Sequence, residues 1–273
     1  MSRRVWIIGP VAIDRVAYIE ELPARGSFVR PLKIVERIGG SSGNVALALS
    51  EAGVETGFIS YIGADNNGAK IRHRFTESRI QHLYLQEIEG DSNSALVMVD
   101  SGGERTIVAL TESHLAEISF ANIDFNSEDI VVFSLWRPFF IQHLNQIRSI
   151  GCTTVVGLEA LRDSQVSGAD FAIGSESELG SIHPLDHLDR FPTIVVTRGA
   201  AGVDQYRVSE HIHESALPGP VIDTTGAGDS FLAGYLRCLS DDGAEHGPPL
   251  HYGVRWAAAT VAQAGSEPAP PPL

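Results

Sequence analysis

Short runs of apolar residues alternate with stretches of helical spacing along most of the chain. The apolar runs are rich in β-branched residues and lie at residues 5–8, 56–62, 129–133, 153–156, 171–173 and 193–197. Helical spacing occurs between them, in residues 45–52 before Gly53, and after Asp65 in a helix carrying Ile71, Phe75 and Ile80. Buried strands separated by helices are typical of a parallel sheet covered on both faces. The pattern therefore predicts an α/β fold with a mostly parallel, Rossmann-like central sheet.

Two segments interrupt this alternation. Residues 12–38 contain Pro23, Gly26 and Pro31 among short apolar groups, which favours irregular edge strands over a helix. Residues 94–99 and 105–110 flank a Ser-Gly-Gly turn, a pattern typical of a β-hairpin. We expect these segments, about residues 12–38 and 92–111, to form a small β lid outside the main sheet of one domain spanning residues 1–273.

The ends of the chain and its composition narrow the class of protein. The Pro-rich residues 266–273 lack the donors for a helix or a ladder, so a flexible tail is expected. A net charge of −14 argues against a nucleic-acid or anionic-membrane partner, and no run approaches the ~20 apolar residues of a membrane span. Cys152 and Cys238 form no CxxC pair, which indicates a reduced, cytoplasmic chain.

The candidate chemistry lies in a Gly-rich stretch near the C-terminus, which reads Asp223-Thr-Thr-Gly-Ala-Gly-Asp229. It opens into a stretch with apolar residues at helical spacing. A helix N-terminus exposes unpaired N–H groups and a partial positive charge, so this turn can bind an anion such as phosphate. Asp229 at such a position is, by itself, more often a capping residue than a catalytic one. Whether Asp229 is a capping residue or a catalytic one depends on the other motifs in the sequence.

Four motifs in order give the chain a resemblance to the PfkB carbohydrate kinases, the ribokinase-like family. They are the paired glycines and asparagine Gly39, Gly40 and Asn44; a lid hairpin with Ser94 and Arg105; the loop with Thr197, Gly199 and Gly202; and the stretch from Asp223 to Asp229. Each motif alone is weak, but the set in this order is specific. The resemblance implies a ribokinase-like fold and a kinase that phosphorylates a hydroxymethyl group of a small sugar.

The resemblance also implies roles for individual residues. Asp229 would be the general base, and the N–H groups of Gly226, Ala227 and Gly228 would form an anion hole. ATP would bind with Mg²⁺ at Thr197, Gly199, Gly202, Ser175, Glu178 and Thr225, with Glu178 acting on the metal through water. The sugar would contact Asp14, Gly39, Gly40, Asn44, Ser94, Arg105 and Arg137, and the two arginines are candidates to bind an acidic group.

Several positions depart from the family pattern. Ser175 replaces the asparagine of an NxxE motif, and Gly157-Leu-Glu159 stands where an Asp-Pro-Asn type sequence is common. Little chain follows Gly265, so the adenine side is short and use of a monovalent cation stays open. The GxxxxGK[ST] spacing of P-loop kinases is absent, which disfavours that unrelated class.

These departures keep other interpretations open. A nucleoside is the alternative acceptor, and a catalytically idle sugar-binding relative is the competing class. Arg137 and Arg105 also fit ordinary surface roles, with Arg105 paired to Glu104 across a turn. His211 and His213 share one strand face, but no third ligand is spaced to complete a metal site. The exposed edges of the lid favour a homodimer in which two lids pair.

Overall fold

The computed structural model describes residues 3–103, 105–241, 246–263, 265 and 267–272. In chain order the elements are β1 (Val5–Ile8), β2 (Ala12–Tyr18), β3 (Lys33–Gly39), α1 (Ser41–Glu51), β4 (Thr56–Gly63), α2 (Asn66–Thr76), β5 (His82–Ile88), β6 (Ser94–Val99), β7 (Arg105–Ala109), β8 (Ile130–Phe133), α3 (Ile141–Ile150), β9 (Thr153–Gly157), β10 (Phe171–Ser175), α4 (Glu176–Leu179), β11 (Thr193–Thr197), β12 (Val203–Arg207), β13 (Glu210–Glu214), α5 (Ala227–Ser240) and α6 (Pro249–Val261). Short 3₁₀ turns connect some of them.

The main sheet has nine strands in the order β13-β12-β11-β10-β9-β8-β1-β4-β5. Strands β11 to β5 in this order pair in parallel, and the β12–β13 hairpin adds an antiparallel edge. Alternate residues of β1 enter two different cores: Val5 and Ile7 pack with α1, α2, α5 and α6, whereas Trp6 and Ile8 pack with α3 and α4. The predicted α/β fold with helices on both faces is confirmed.

The region after β4 differs from the sequence prediction. Helix α2 ends at Thr76, because the backbone N–H and hydroxyl of Ser78 both donate to the Phe75 carbonyl and close the last turn. Ile80 therefore lies beyond the helix that was expected to include it. The next residues form β5, an edge strand that the apolar pattern missed because most of its side chains are only partly buried.

A second sheet stands apart from the first. It has four strands in the order β3-β2-β6-β7, formed by the segments expected to be a lid. Strand β2 pairs antiparallel with β3 and parallel with β6, and β6–β7 is the hairpin. Val16, Val97 and Val99 form its small apolar cluster. Glu104, suggested as a partner of Arg105, lies outside the described residues.

Residues 267–272, expected to form a flexible tail, are joined to α6 by hydrogen bonds. The Trp256 indole N–H donates to the Ala269 carbonyl at 2.7 Å, and the Ala269 N–H donates to the Thr260 hydroxyl at 2.9 Å. The Tyr252 hydroxyl donates to the Pro272 carbonyl at 2.8 Å. Side chains of α6 thus supply the hydrogen bonds that a proline-rich backbone cannot obtain from a ladder. Within the described ranges, no helix combines the length and apolar character needed to cross a membrane.

Candidate active site

Asp229 lies in the first turn of α5, where it faces the first turn of α1. Its Oδ1 accepts a hydrogen bond from the Ser41 hydroxyl at 2.6 Å, and its Oδ2 accepts one from the Asn44 amide at 2.7 Å. The two helix N-termini thus hold the carboxylate in one orientation. Sequence reasoning had placed Asn44 near the acceptor and had missed Ser41. A hydroxyl beginning a helix gives no local signal of a partner 188 residues away.

The charge state of Asp229 reflects competing effects. Burial raises its pKa above the ordinary value, and the hydrogen bonds from Ser41 and Asn44 and the charge of Arg105 oppose that rise without cancelling it. The result is a carboxylate of increased basicity whose two oxygens are both oriented. Such a group can accept a proton from a hydroxyl placed beside it.

The glycine-rich turn before α5 is held by Asp223. Its Oδ1 accepts from the Thr225 backbone N–H at 2.9 Å, and its Oδ2 accepts from the Gly265 N–H at 3.2 Å. Gly226 has a φ of 80°, in the left-handed region that favours glycine, and no side chain caps the helix. A Cβ added at Gly228 would meet no atom within 4 Å. The helix N-terminus therefore faces open space that an anion can enter.

Asp14 on β2 lies close to Gly39 and Gly40, the paired glycines predicted to contact the sugar. A Cβ built on Gly39 would be 1.9 Å from Asp14 Oδ2, and one built on Gly40 would be 2.8 Å from the Pro10 carbonyl oxygen. Gly40 also has a φ of 89°. Burial raises the pKa of Asp14, and the negative charge of Asp229 raises it further. The positive charges of Arg37 and Arg105 oppose this rise. The two carboxylates and two arginines thus act on one another across a shared space.

Asn44 retains an unused hydrogen-bonding group in this space. Only 4% of the residue is exposed, and its Oδ1 is buried with no hydrogen-bond partner in the described structure. Buried amide oxygens normally have a partner, and leaving one without costs about 1–3 kcal/mol. A hydroxyl donor from a ligand would satisfy it.

Most of the predicted nucleotide residues lie at or just after the carboxyl ends of β10 and β11, and Thr225 lies in the turn before α5. Ser175 and Thr197 are neighbours in the register of these strands, and the Thr197 hydroxyl donates to the Gly174 carbonyl at 3.3 Å. After Thr197 the chain turns through Gly199 and Gly202, whose φ values of 55° and 96° favour glycine. Ligands of open α/β sheets bind outside this edge.

Two carboxylates lie close together at the same edge. Glu178 caps α4 by accepting from the Ser175 backbone N–H at 3.1 Å, and the Ser175 side chain caps in return. Burial raises the pKa of Glu178, and the nearby charge of Glu159 raises it further. The hydrogen bonds from Ser175 and the charge of Arg162 oppose this rise without cancelling it. Two neighbouring carboxylates of this kind fit a divalent cation. Within the described ranges no cluster of three or more His, Cys, Asp or Glu side chains could hold a metal ion. Glu159, noted in the sequence only as a departure, is the residue that completes the pair.

Two predicted acceptor residues are not brought to this space. Ser94 is in register with Ile13, the neighbour of Asp14, so its side chain points to the opposite face of the small sheet. The exposed Arg137 donates to the Trp136 carbonyl at 2.7 Å, and no described hydrogen bond or ion pair links it to Asp14 or Asp229.

The paired histidines meet a third group from the adjacent strand. His211 Nε2 and His213 Nδ1 lie 2.9 and 3.0 Å from Asp204 Oδ1. The other oxygen of Asp204 pairs with the Arg198 guanidinium. Asp204 is thus engaged by cationic and ring N–H groups. The cluster is a side-chain network at the edge of the main sheet.

Comparisons with known proteins agree with the motifs. A family model described as pfkB family carbohydrate kinase matches residues 2–272. A fructokinase of Klebsiella pneumoniae is 26% identical, over 91% of this chain and 87% of its own.

Solved structures share the fold. The ribokinase of Arabidopsis thaliana, complexed with ribose and ATP, superposes with a TM-score of 0.76 at 20% identity, covering 98% of this chain and 96% of its own. The Burkholderia thailandensis nucleoside kinase, in complex with inosine, superposes with a TM-score of 0.80 at 17% identity, covering 96% and 92%. With the family model spanning nearly the whole sequence, the chain belongs to the pfkB family of carbohydrate kinases.

Proposed function

We propose that this kinase transfers the γ-phosphoryl group of ATP to a hydroxymethyl group of a small sugar or sugar derivative, with Asp229 as general base. The observation that carries the proposal is the placement of Asp229. Its two oxygens are fixed by Ser41 and Asn44, and it stands in the first turn of the helix that follows the open glycine turn. A base and an anion site are thereby adjacent.

The reaction follows from this adjacency. The acceptor oxygen forms a bond to the γ-phosphorus while its proton moves to an Asp229 oxygen. The bond between the γ-phosphorus and the β–γ bridging oxygen breaks, and ADP leaves with that electron pair. Phosphoryl transfer has a loose transition state with charge spread over three oxygens. The N–H groups of the turn at Gly226, Ala227 and Gly228 stabilise that charge.

The nucleotide side of the site is assigned to the carboxyl ends of β10 and β11. Thr197, Gly199, Gly202, Ser175 and Thr225 line the approach to the anion hole in this proposal. Glu178 and Glu159 would hold Mg²⁺ through its water ligands, and the bound metal would offset the negative charge of the ATP phosphates. A monovalent cation enters the proposal only as an activator. Comparison of potassium chloride with tetramethylammonium chloride in one assay decides that point.

The acceptor side is assigned to the space between the lid and the first turn of α1. Asp14 and the orphan Asn44 Oδ1 bind hydroxyl groups, and Gly39 and Gly40 let them approach the backbone. Arg105 acts electrostatically on both Asp14 and Asp229, so an acidic sugar belongs in the screen. A nucleoside is the alternative acceptor, because a ribose 5′-hydroxyl offers the same group and a structural neighbour holds inosine.

The competing interpretation is a sugar-binding protein without turnover. Ser175 and Glu159 favour it, because they replace residues common in the family. The test is ADP release from Mg-ATP with a panel of pentoses, hexoses, sugar acids and nucleosides. Acceptor-dependent release is expected. Thermal stabilisation by a sugar without any ADP release would reject the kinase proposal for this chain.

We also propose that two lids pair in a homodimer. Ile34, Ile107 and Val108 on the outer strands of the small sheet are 63%, 56% and 44% exposed, and both outer strands leave backbone groups unpaired. Sedimentation equilibrium of the wild type and of Ile107→Asp tests this. A dimer that the substitution dissociates is expected; a wild-type monomer at micromolar concentration would contradict it.

A further inference from the structure

Arg37 is a basic residue in the active-site space that the assigned roles leave unused. It lies on β3 directly opposite Asp14 in the β2–β3 register, so both side chains project from the same face of the small sheet. Its Nε is buried and has no hydrogen-bond partner, and no described acid lies within ion-pair distance of its guanidinium. A buried donor of a charged group without a partner is costly, and it normally marks a place for a ligand or water.

The surroundings of Arg37 show where its guanidinium lies. Its charge lowers the pKa of Asp14 on the acceptor side and of Asp223 in the turn before α5. Its Nη1 is 3.8 Å from the position that a Cβ on Gly265 would take, and the Gly265 N–H itself binds Asp223. The guanidinium therefore stands between the acceptor carboxylate and the loop that presents the anion hole.

We propose that Arg37 binds the γ-phosphoryl group of the nucleotide, facing the N-terminus of α5 from the lid and completing the anion site. The inference rests on the proposed phosphoryl transfer and adds a residue to it. A guanidinium presents several N–H donors in a fixed plane that matches phosphate oxygens. Asp223 accepts backbone N–H groups at both carboxylate oxygens, and no ion pair among the described residues joins it to Arg37. The phosphoryl group supplies the acceptors that the protein does not.

This placement gives Arg37 a different task from Arg105. Arg105 acts on Asp14 and Asp229, the residues nearest the acceptor hydroxyl. Arg37 acts on Asp14 and Asp223, so it spans the acceptor site and the phosphate loop. Because Arg37 belongs to the lid sheet, it places positive charge from the lid next to the group being transferred.

The first experiment compares binding of the magnesium complexes of AMP-PNP and ADP by calorimetry, which requires no knowledge of the acceptor. Arg37→Gln should weaken AMP-PNP binding by about 10- to 100-fold and leave ADP binding nearly unchanged, as for loss of a hydrogen bond to a charged group. The matched control is Arg15→Gln. Arg15 lies on the adjacent rung of the same ladder, is 58% exposed, and among the described residues forms an ion pair with Glu36 alone. It should leave both affinities unchanged.

The second experiment uses the best acceptor from the panel. Arg37→Gln should lower kcat by about 100-fold or more with neutral and anionic acceptors alike, as loss of a transition-state donor does. Arg37→Lys keeps the charge and replaces the glutamine variant if that variant fails to fold. It should retain part of the preference for AMP-PNP over ADP. Equal affinity losses for both nucleotides, no loss for either, or a defect confined to the KM of anionic acceptors would overturn the assignment. If the wild type phosphorylates nothing, the proposed function fails, and the nucleotide comparison still decides Arg37.

Discussion

The contact between Gly39 and Asp14 allows a substitution that displaces one carboxylate without removing it. A Cβ at position 39 would be 1.9 Å from Asp14 Oδ2, whereas ordinary contacts begin at 3.4 Å. In Gly39→Ala the carboxylate must therefore retreat by about 1.5 Å, the difference of those two distances. Gly39 does not have a left-handed φ, so an alanine fits its backbone without strain. Asp14 is therefore the residue that must move.

A displacement of about 1 Å at a positioning group can lower the rate about 100-fold. We expect kcat/KM for the acceptor to fall by about that factor in Gly39→Ala, with a rise in acceptor KM and little change in Tm. The measurement is steady-state ADP release across acceptor concentrations, paired with thermal denaturation. Asp14→Ala should behave similarly, and the double variant should be no worse than Asp14→Ala, since both changes remove the same interaction.

The matched control is Gly53→Ala. Gly53 has a φ of 81° and open space around its Cβ position, so alanine there should cost about 1 kcal/mol in stability through backbone strain alone. Its kinetics should remain those of the wild type. Wild-type acceptor KM and kcat in Gly39→Ala would refute the reasoning, because they would mean that the position of Asp14 does not matter to the acceptor.

Two further predictions concern charge. Ser41→Ala removes a hydrogen bond that lowers the pKa of Asp229, so that pKa should rise. The acidic limb of the pH–kcat/KM profile should then move to higher pH. A limb that stays in place would show that it does not report the titration of Asp229. Asp129 is 1% exposed and accepts hydrogen bonds from the Arg4 guanidinium at 2.7 and 3.1 Å and from the Trp6 indole at 3.0 Å. Asp129→Ala removes the buried partner of the Arg4 charge and of the Trp6 indole, and Arg4 keeps its hydrogen bond to the Asp124 carbonyl. The change should lower the free energy of unfolding by about 3–5 kcal/mol, measured by urea denaturation; a loss under about 1 kcal/mol would contradict this.

The sequence predicts elements well where burial is complete. Strands β1, β4, β8 and β11 are uninterrupted or nearly uninterrupted buried runs, and each lies where the apolar pattern placed it. The apolar pattern did not predict strand β5, because an edge strand buries few side chains. The hydrogen bonds between the tail and α6 were not predicted, for a different reason. Prolines exclude helix and ladder, but they do not prevent carbonyls from accepting hydrogen bonds from the side chains of a neighbouring helix.

The site residues likewise divide into those that the sequence predicts and those that only the fold brings together. Motif order pointed to Asp229, Asn44 and Asp14, and folding brings their side chains into one space. Arg37 belongs to no quoted motif and Glu159 was quoted only as a departure, and the relevance of both appears only when separate strands meet. The orientation of a lid side chain such as Ser94 depends on strand register, which a one-residue shift reverses.

Catalysis by Asp229 is the central claim, and Asp229→Asn tests it most directly. Asparagine keeps the size of the side chain and an oxygen that can accept from Ser41 or Asn44, but it cannot take a proton at neutral pH. With folding and acceptor binding verified by thermal shift, ADP release with the best acceptor should fall by about 100- to 10,000-fold, the contribution of a general base. Turnover within a few-fold of the wild type in a folded, sugar-binding variant would contradict the account.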